Sequence, residues 1–500
     1  MTISLILDMA TSAHGERGAF TVDGTTVTFD ELGHLVAAVG SELQDSGAKH
    51  VVFLGHSGLE LPVLLFASAQ AGLPFTPVNY RLGDRQLSDL INRVDGAVVV
   101  VDPDVTASFT DVSAPILSAH VLLKAARTRT DLLPSVDIDP DAPAVILFTS
   151  GTTSAPKGVV LRHSHLLSYV MGTVDFGSAE STDAALISVP PYHVAGMGTI
   201  LTNLYAGRRM VYLPHFDAGE WLALARDEKA TSAMVVPTML ERIVQSLQGA
   251  PAEIPSLRSL SYGGARMPRP TLEAALVAFD DVGFVNAYGL TETSSTIALL
   301  GPEDHREALS SDDPAVRMRL GSIGRPVPGV EAVIRTADGD PAPLGEQGEL
   351  WVRGPQVSGE YMGLGSVLDP DGWFPTRDLA YQDADGFLFV VGRNDDTIIR
   401  GGENIAPAEI EDVLVHHPSV QSVAVVGIPD DHWGQAIVAA VVLEVGADPD
   451  PEELRQYVRA SLRGSRTPDR VIYVSELPST ATGKILRKEI VANLVASAQS

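Results

Sequence analysis

The densest run of potential ligand-binding groups is Phe148-Thr-Ser-Gly-Thr-Thr-Ser-Ala-Pro-Lys-Gly158. Hydroxyls and glycines packed this closely can present O–H and backbone N–H donors to a phosphate, and Lys157 adds a positive charge. The order Lys157-Gly158-Val159 departs from the Walker pattern, which requires Gly-Lys followed by Ser or Thr. Asn286-Ala-Tyr-Gly-Leu-Thr-Glu-Thr293 offers an aromatic face at Tyr288 and a hard oxygen ligand for Mg²⁺ at Glu292. Trp373-Phe-Pro-Thr-Arg-Asp378 and Gly392-Arg-Asn-Asp-Asp396 bracket a β-rich stretch, and a carboxylate such as Asp378 can accept both hydroxyls of a ribose. Near the C-terminus, Pro478-Ser-Thr-Ala-Thr-Gly-Lys-Ile-Leu-Arg487 presents Lys484. Taken singly, each of these segments is also compatible with a surface turn.

The elements that must hold these segments are legible from periodicity. Val51–Gly55, Ala97–Val101, Ala144–Phe148, Ala185–Val189, Met210–Leu213 and Ser232–Val236 read as buried strands. Amphipathic stretches lie between strands, among them His163–Val174, Glu220–Asp227 and Pro237–Leu247. That alternation predicts α/β layers with largely parallel sheets. From about Gly321 to Gly392 the chain turns β-rich and Gly/Pro-punctuated, which predicts a small barrel or a third, antiparallel sheet. Beyond Arg393 a helix from Pro407, strands Val423–Gly427 and Ala436–Leu443, a helix Pro451–Leu462 and a strand near Val471 make a small α+β unit. The expected division is 1–393, a hinge at 394–396, and 397–500.

Composition narrows the partners. The 500 residues carry a net charge of −28, which disfavours nucleic acid and anionic membranes. Polyanionic cofactors would then depend on a few locally placed cations. The chain has no cysteine, so thiolate metal sites and Cys nucleophiles are excluded and any thiol must come from a cofactor. The N-terminus lacks a basic n-region and the apolar runs are strand-length, so the cytoplasm is the expected compartment.

In this order and spacing the four segments closely resemble the adenylate-forming (ANL) superfamily of acyl-CoA synthetases, peptide-synthetase adenylation domains and beetle luciferase. The resemblance runs from about Tyr80 to Arg487, and Gly392–Glu411 is most similar to the aryl- and acyl-CoA ligases such as 4-chlorobenzoate–CoA ligase. It implies a large α/β domain with a β-rich subdomain and a mobile C-terminal lid. It also implies activation of a carboxylic acid by ATP, release of pyrophosphate, and transfer to CoA, with ATP, Mg²⁺ and CoA as cofactors. By the same resemblance, Thr149, Ser150, Gly151, Thr152, Thr153 and Lys157 hold the β- and γ-phosphates. Thr291 contacts the α-phosphate and Glu292 binds Mg²⁺. Gly263, Gly264, Ala265 and Tyr288 line the adenine, with Asn286 and Gly289 in the same nucleotide-binding segment, and Asp378 and Arg393 hold the ribose. Lys484 bridges the substrate carboxylate and the α-phosphate, while His193 gates the passage between acyl and nucleotide sites. Asp395 matches the hinge. In the second half-reaction Gly401 and Gly402 replace Lys484 and line a thiol channel, and Trp433 and Arg81 contact CoA.

The chain departs from the family pattern at Thr376-Arg377-Asp378, where Thr-Gly-Asp is usual, at Asp395, where Lys is common, and at Gly464–Pro468. Alternatives are an adenylation enzyme that loads a carrier protein in trans, and a nucleotide-binding regulator that has lost catalysis. Retention of Lys157, Glu292, Asp378, Arg393 and Lys484 argues against the regulator. Tyr192-His193-Val194-Ala195 stands where amino-acid-adenylating domains carry a Phe-Asp motif, which favours a free acid. Small and apolar residues at Met197, Tyr262, Gly263, Tyr288 and Thr293–Thr296 fit an aryl or short-to-medium acyl group. A monomer or a homodimer is expected.

Overall fold

The computed structural model describes every residue except 106, 108, 110, 150–155, 394–395, 401–402, 431–432, 463, 481–482 and 499–500. The expected phosphate-binding positions Ser150, Gly151, Thr152 and Thr153, the expected hinge Asp395 and the pair Gly401-Gly402 therefore lie outside the described residues.

The alternating strands and helices build two large sheets. In the first, Gly18–Val22, Arg209–Tyr212, Ala184–Ile187, Ser232–Val235, Ser259–Gly263 and Gly283–Leu290 run parallel in that spatial order. Ser295–Leu300 and Arg325–Pro326 extend it antiparallel at one edge and Thr25–Thr28 at the other. In the second, Pro143–Thr149, Phe75–Pro77, His50–Leu54, Ala97–Val101 and Ile116–Ser118 run parallel. Lys157–Arg162 folds back antiparallel on Pro143–Thr149. The expected strands are present, with ends shifted by one or two residues. Their apolar runs are buried on both faces, as strands covered by helices on each side must be. Helices His163–Thr173, Ala218–Asp227 and Pro237–Leu247 match their sequence periodicity. Asp217 caps the second, accepting from Gly219 N and Glu220 N.

The β-rich stretch resolves as a four-stranded antiparallel sheet: Glu331–Arg335, Gly348–Arg353, Phe374–Gln382 and Leu388–Arg393. Between its second and third strands, Glu360–Tyr361 leaves to pair with Lys157–Arg162 of the second large sheet. This excursion stitches the subdomain to the hairpin of Pro143–Thr149 and Lys157–Arg162.

The C-terminal unit is a sheet of Val420–Asp430, Gly434–Leu443 and Arg470–Tyr473 packed by helices Pro407–Leu414, Pro451–Ser461 and Arg487–Ala498. It has its own apolar core around Ile410, Val425, Ile437, Ala439 and Leu454. Pro407 and Pro451 each open a helix, where a missing N–H costs nothing. Among the described residues no helix is long and apolar enough to cross a membrane.

Two core histidines give this fold an acid limit. His50 Nε2 lies 2.7 Å from Thr76 Oγ1, and His163 Nδ1 accepts from Ile3 N at 3.3 Å. Burial lowers both from the ordinary 6.5 to about 4. A folded-state value below the unfolded one contributes stability that is complete above pH 6.5 and is lost as pH falls toward 4, up to about 3 kcal/mol per group. The melting temperature is expected to fall steadily through that window. A midpoint unchanged from pH 7 to 4.5 would contradict neutral burial of these rings.

Candidate active site

Parallel α/β sheets gather ligands at the C-terminal ends of their strands, and the sequence-expected residues converge there. Ser259–Gly263 and Gly283–Leu290 lie side by side with Gly263 opposite Ala287. A Cβ on Gly263 would sit 2.3 Å from the carbonyl oxygen of Ala287, so only glycine permits this approach. Gly264 follows with φ +84°, turning the chain toward Ala265. The Asn286 side-chain amide donates to Ser322 O at 3.0 Å and braces the strand. After Tyr288 the ladder slips at Gly289, whose Cβ would lie 1.8 Å from Ser295 O. The slip leads into the 3₁₀ turn Thr291–Thr293, closed by the buried Thr293 hydroxyl against Leu290 and Ser295. Thr291 and Glu292 are carried on this turn.

Asp378 and Arg393 face each other across the antiparallel ladder of the subdomain. Arg393 Nε donates to Asp378 Oδ1 at 2.8 Å, and the Tyr288 hydroxyl donates to Asp378 Oδ2. Asp378 is 5% exposed, and its backbone N–H donates to Thr376 Oγ1 at 3.1 Å. Burial, then the charge of Asp378, holds the Tyr288 hydroxyl well above its ordinary range, so it is a proton donor at neutral pH. Burial pulls Arg393 down, but the charge and hydrogen bond of Asp378 outweigh it and leave a permanent cation.

Thr149 and Lys157 stand opposite each other at the mouth of the hairpin whose loop is the serine- and threonine-rich run. Thr149 Oγ1 donates to Lys157 O at 3.4 Å. The loop's exit is fixed by Arg93, which donates to Pro156 O at 2.7 Å and stacks on Phe148. Arg93 was not signalled by sequence, because its contact spans 63 residues. Lys157 Nζ lies 5.3 Å from the centre of the Tyr361 ring, and the Tyr361 hydroxyl donates to Glu292 Oε1 at 2.8 Å. Glu292 Oε2 has no hydrogen-bond partner among the described residues, which suits a cation ligand. The described residues contain no cluster of three or more metal-binding side chains. The donor set therefore fits Mg²⁺ carried on a triphosphate, which needs one or two protein carboxylates, better than a resident metal.

The C-terminal unit completes the site. Thr480 N donates to Lys484 O at 2.8 Å and Gly483 N to Thr480 O at 2.9 Å, which draws the chain back on itself beside Lys484. Gly483, at φ +77°, packs on Thr238, where a Cβ would meet Cγ2 at 2.5 Å. Lys484 is thereby set among Arg393, Asp396, Asp378 and Glu292. Burial and then Arg393 lower its pKa, while the three carboxylates oppose them. His193 caps helix Val194–Ala206, its Nδ1 accepting from Ala195 N at 3.4 Å. Burial, then the charge of Lys484, lowers it to about 4, so the ring facing Lys484 is neutral at pH 7. The Arg81 segment adjoins this corner: Tyr80 stacks edge-on with Tyr192, and the Arg81 guanidinium lies over the Tyr80 ring at 5.6 Å. Trp433 sits at the turn between the two long strands of the C-terminal sheet, 45% exposed, with Arg400 4.8 Å above its ring. Of the expected pocket residues, Tyr262 is 1% exposed and its hydroxyl meets His305 Nε2 at 2.9 Å, so it supports the wall from behind.

The Thr376-Arg377-Asp378 departure has a structural outcome. Arg377 adopts φ +62°, the left-handed conformation that glycine takes without strain, and its N–H donates to Glu349 Oε1 at 3.1 Å. The conformation marks an irregularity within the strand Phe374–Gln382, where its register against Gly348–Arg353 shifts, and the arginine bears its cost, of order 1 kcal/mol. Arg377→Gly is expected to raise stability by about 1 kcal/mol, read as a higher urea midpoint at unchanged m. A lower midpoint would contradict the strain.

The chain is similar to known proteins along nearly its whole length. The pattern of the AMP-binding enzyme family matches residues 7–362, and that of the AMP-binding enzyme C-terminal domain matches 409–484. The chain is 33% identical to a feruloyl-CoA synthase of Amycolatopsis over 93% of this chain and 94% of that one. It is 31% identical to the fatty acid–[acyl-carrier-protein] ligase ScoC of Streptomyces coeruleorubidus, over 97% and 95%. The o-succinylbenzoate CoA synthetase of Bacillus subtilis, solved with its acyl-adenylate intermediate, superposes with a TM-score of 0.85 at 27% identity, over 97% of each chain. The same synthetase has been solved with ATP and magnesium. The chain belongs to the AMP-binding enzyme family of the adenylate-forming superfamily and is an AMP-forming acid–thiol ligase.

Proposed function

We propose that the protein joins a free carboxylic acid of aryl or short-to-medium acyl type to CoA in two steps at the site around Asp378, with residues 394–396 as the hinge between them. The observation that carries this reading is the placement of Lys484 beside Arg393, Asp378, Glu292 and the neutral ring of His193. In the first step a carboxylate oxygen attacks the α-phosphorus of ATP, the α–β phosphoanhydride bond breaks, and pyrophosphate leaves. Negative charge then grows on the α-phosphate oxygens, where Lys484 and Thr291 stabilise it. The catalysis is positioning and electrostatics, as expected for transfer at phosphorus. Asp378 takes the ribose hydroxyls, flanked by Arg393 and Tyr288. Gly263–Ala265 admit the adenine at the close approach of the two strands. Lys157 and the preceding loop hold the outer phosphates, and Mg²⁺ held by Glu292 would neutralise their charge. His193, uncharged, separates the acid from the nucleotide without competing for the carboxylate.

In the second step the thiol of CoA attacks the acyl carbonyl and AMP leaves. Lys484 must withdraw for this, and the Gly401-Gly402 turn is the proposed replacement, with Trp433 and Arg81 on the CoA path. The aryl preference is supported by the similarity to feruloyl-CoA synthase. A cytoplasmic setting is where ATP and CoA are supplied. The similarity to ScoC favours a second reading, in which the acceptor is the phosphopantetheine of a carrier protein.

Incubation with ATP, Mg²⁺ and a panel of acids, with either CoA or a holo-carrier protein, separates the two. Acyl-CoA formation from at least one aromatic acid is expected; acyl-carrier alone would establish the second reading and defeat the first. Lys484→Ala is expected to lower acid-dependent pyrophosphate release at least a hundredfold, about 3 kcal/mol, while thioester formation from supplied acyl-AMP is largely retained. Because Lys484 acts protonated and its pKa lies below 10.5, pyrophosphate release should fall on the alkaline side before an ordinary lysine would titrate. Lys484→Arg should abolish that limb, and an unchanged alkaline limb in the arginine variant would assign it to another group.

A further inference from the structure

One side chain in the site was singled out neither by sequence nor by the proposed chemistry. Tyr361 lies on the short strand Glu360–Tyr361, which is bound to the phosphate-loop strand at every step. Tyr361 is in register with Val159, and Met362 N donates to Gly158 O at 2.7 Å. The Ser358 hydroxyl donates to Val160 O. Glu360 takes a two-pronged ion pair from Arg162, with both N···O distances 2.8 Å. The same segment grips the 3₁₀ turn: Ser358 N and Gly359 N both donate to Glu292 O, at 2.9 and 3.1 Å. Tyr361 closes the bracket, with its ring 5.3 Å from Lys157 Nζ and its hydroxyl 2.8 Å from Glu292 Oε1.

We propose that Tyr361 is a positioning residue of the acid-activation step. Its hydroxyl orients the Glu292 carboxylate for nucleotide-borne Mg²⁺, and its ring steers Lys157 toward the outer phosphates. The proposal rests on the reading of Glu292 as the metal ligand. Three contacts fix Glu292: two at its backbone carbonyl and one at Oε1. That last contact leaves Oε2 to a ligand and restrains rotation of the carboxylate. Mg²⁺ tolerates little departure from octahedral geometry, so a carboxylate left to rotate binds it less well. Groups that orient a metal's ligand are worth about 10–100-fold in affinity or activity. A cation over an aromatic face at this distance adds a directional hold on Lys157.

The test compares wild type, Tyr361→Phe, Tyr361→Leu and Glu292→Gln. Calorimetric titration with ATP across a range of Mg²⁺ concentrations gives the midpoint at which the metal strengthens nucleotide binding, without any turnover. Pyrophosphate release and thioester formation from supplied acyl-AMP are measured alongside. Tyr361→Phe keeps the ring and is expected to raise the Mg²⁺ midpoint about tenfold, leaving thioester formation from acyl-AMP within twofold of wild type. Tyr361→Leu removes the ring as well and should additionally raise KM for ATP. A Phe variant with a wild-type midpoint beside a Glu292→Gln variant with a shifted one overturns the positioning role and leaves the metal assignment standing. Equal loss of both half-reactions in the Phe variant also overturns it, since that is what a purely structural role gives. An unshifted midpoint in Glu292→Gln overturns the metal assignment, and this proposal with it.

Discussion

A single buried carboxylate, Asp378, determines where three parts of this chain meet. It lies in the β-rich subdomain and takes one hydrogen bond from Arg393 of its own ladder and another from Tyr288 of the nine-stranded sheet. Removing a partner from such a pair strands a charge in the interior and typically costs about 3–5 kcal/mol. The subdomain is therefore held in one register against the parallel sheet, and the strand ending at Arg393 leaves for the C-terminal unit at a fixed point. Everything the C-terminal unit brings to the site, Lys484 above all, is delivered relative to that anchor.

The electrostatics follow from the same junction. A chain of net charge −28 is poorly suited to a polyanionic nucleotide. The candidate site holds a few cations: Lys157 at the loop, Arg393 beside Asp378 and Lys484 at the tip. Arg393 contributes to lowering the pKa of Lys484, and the carboxylates Asp396, Asp378 and Glu292 oppose it, so the two cations are held close together by acids around them.

Much of this was legible in the sequence, for local reasons. Buried parallel strands announce themselves as apolar runs, and the Thr149–Gly158 run, the Tyr288–Glu292 segment and the Lys484 segment are each continuous in sequence. Contacts between segments were not legible. Arg93 braces Pro156 and Tyr361 meets Glu292 across long separations that leave no spacing signal. Tyr262, expected to shape the pocket, spends its hydroxyl on His305 because the strand's alternation turns it toward helix Pro302–Ser310. Arg377 stood out only as a departure from a family pattern. Its meaning, a left-handed residue within a strand where glycine is usual, required the backbone itself. The expectations at Ser150–Thr153, Asp395 and Gly401-Gly402 fall on positions outside the described residues.

The most direct measurement is a crystal structure with a non-hydrolysable acyl-sulfamoyl adenosine of an acid the enzyme accepts. The account predicts both ribose hydroxyls on Asp378, the adenine against Gly263–Ala265 and Tyr288, and Lys484 Nζ on the sulfamate that stands for the α-phosphate. A ligand seated away from Asp378, or bound there with Lys484 remote from the sulfamate while the C-terminal tip still packs on Thr238, would contradict it.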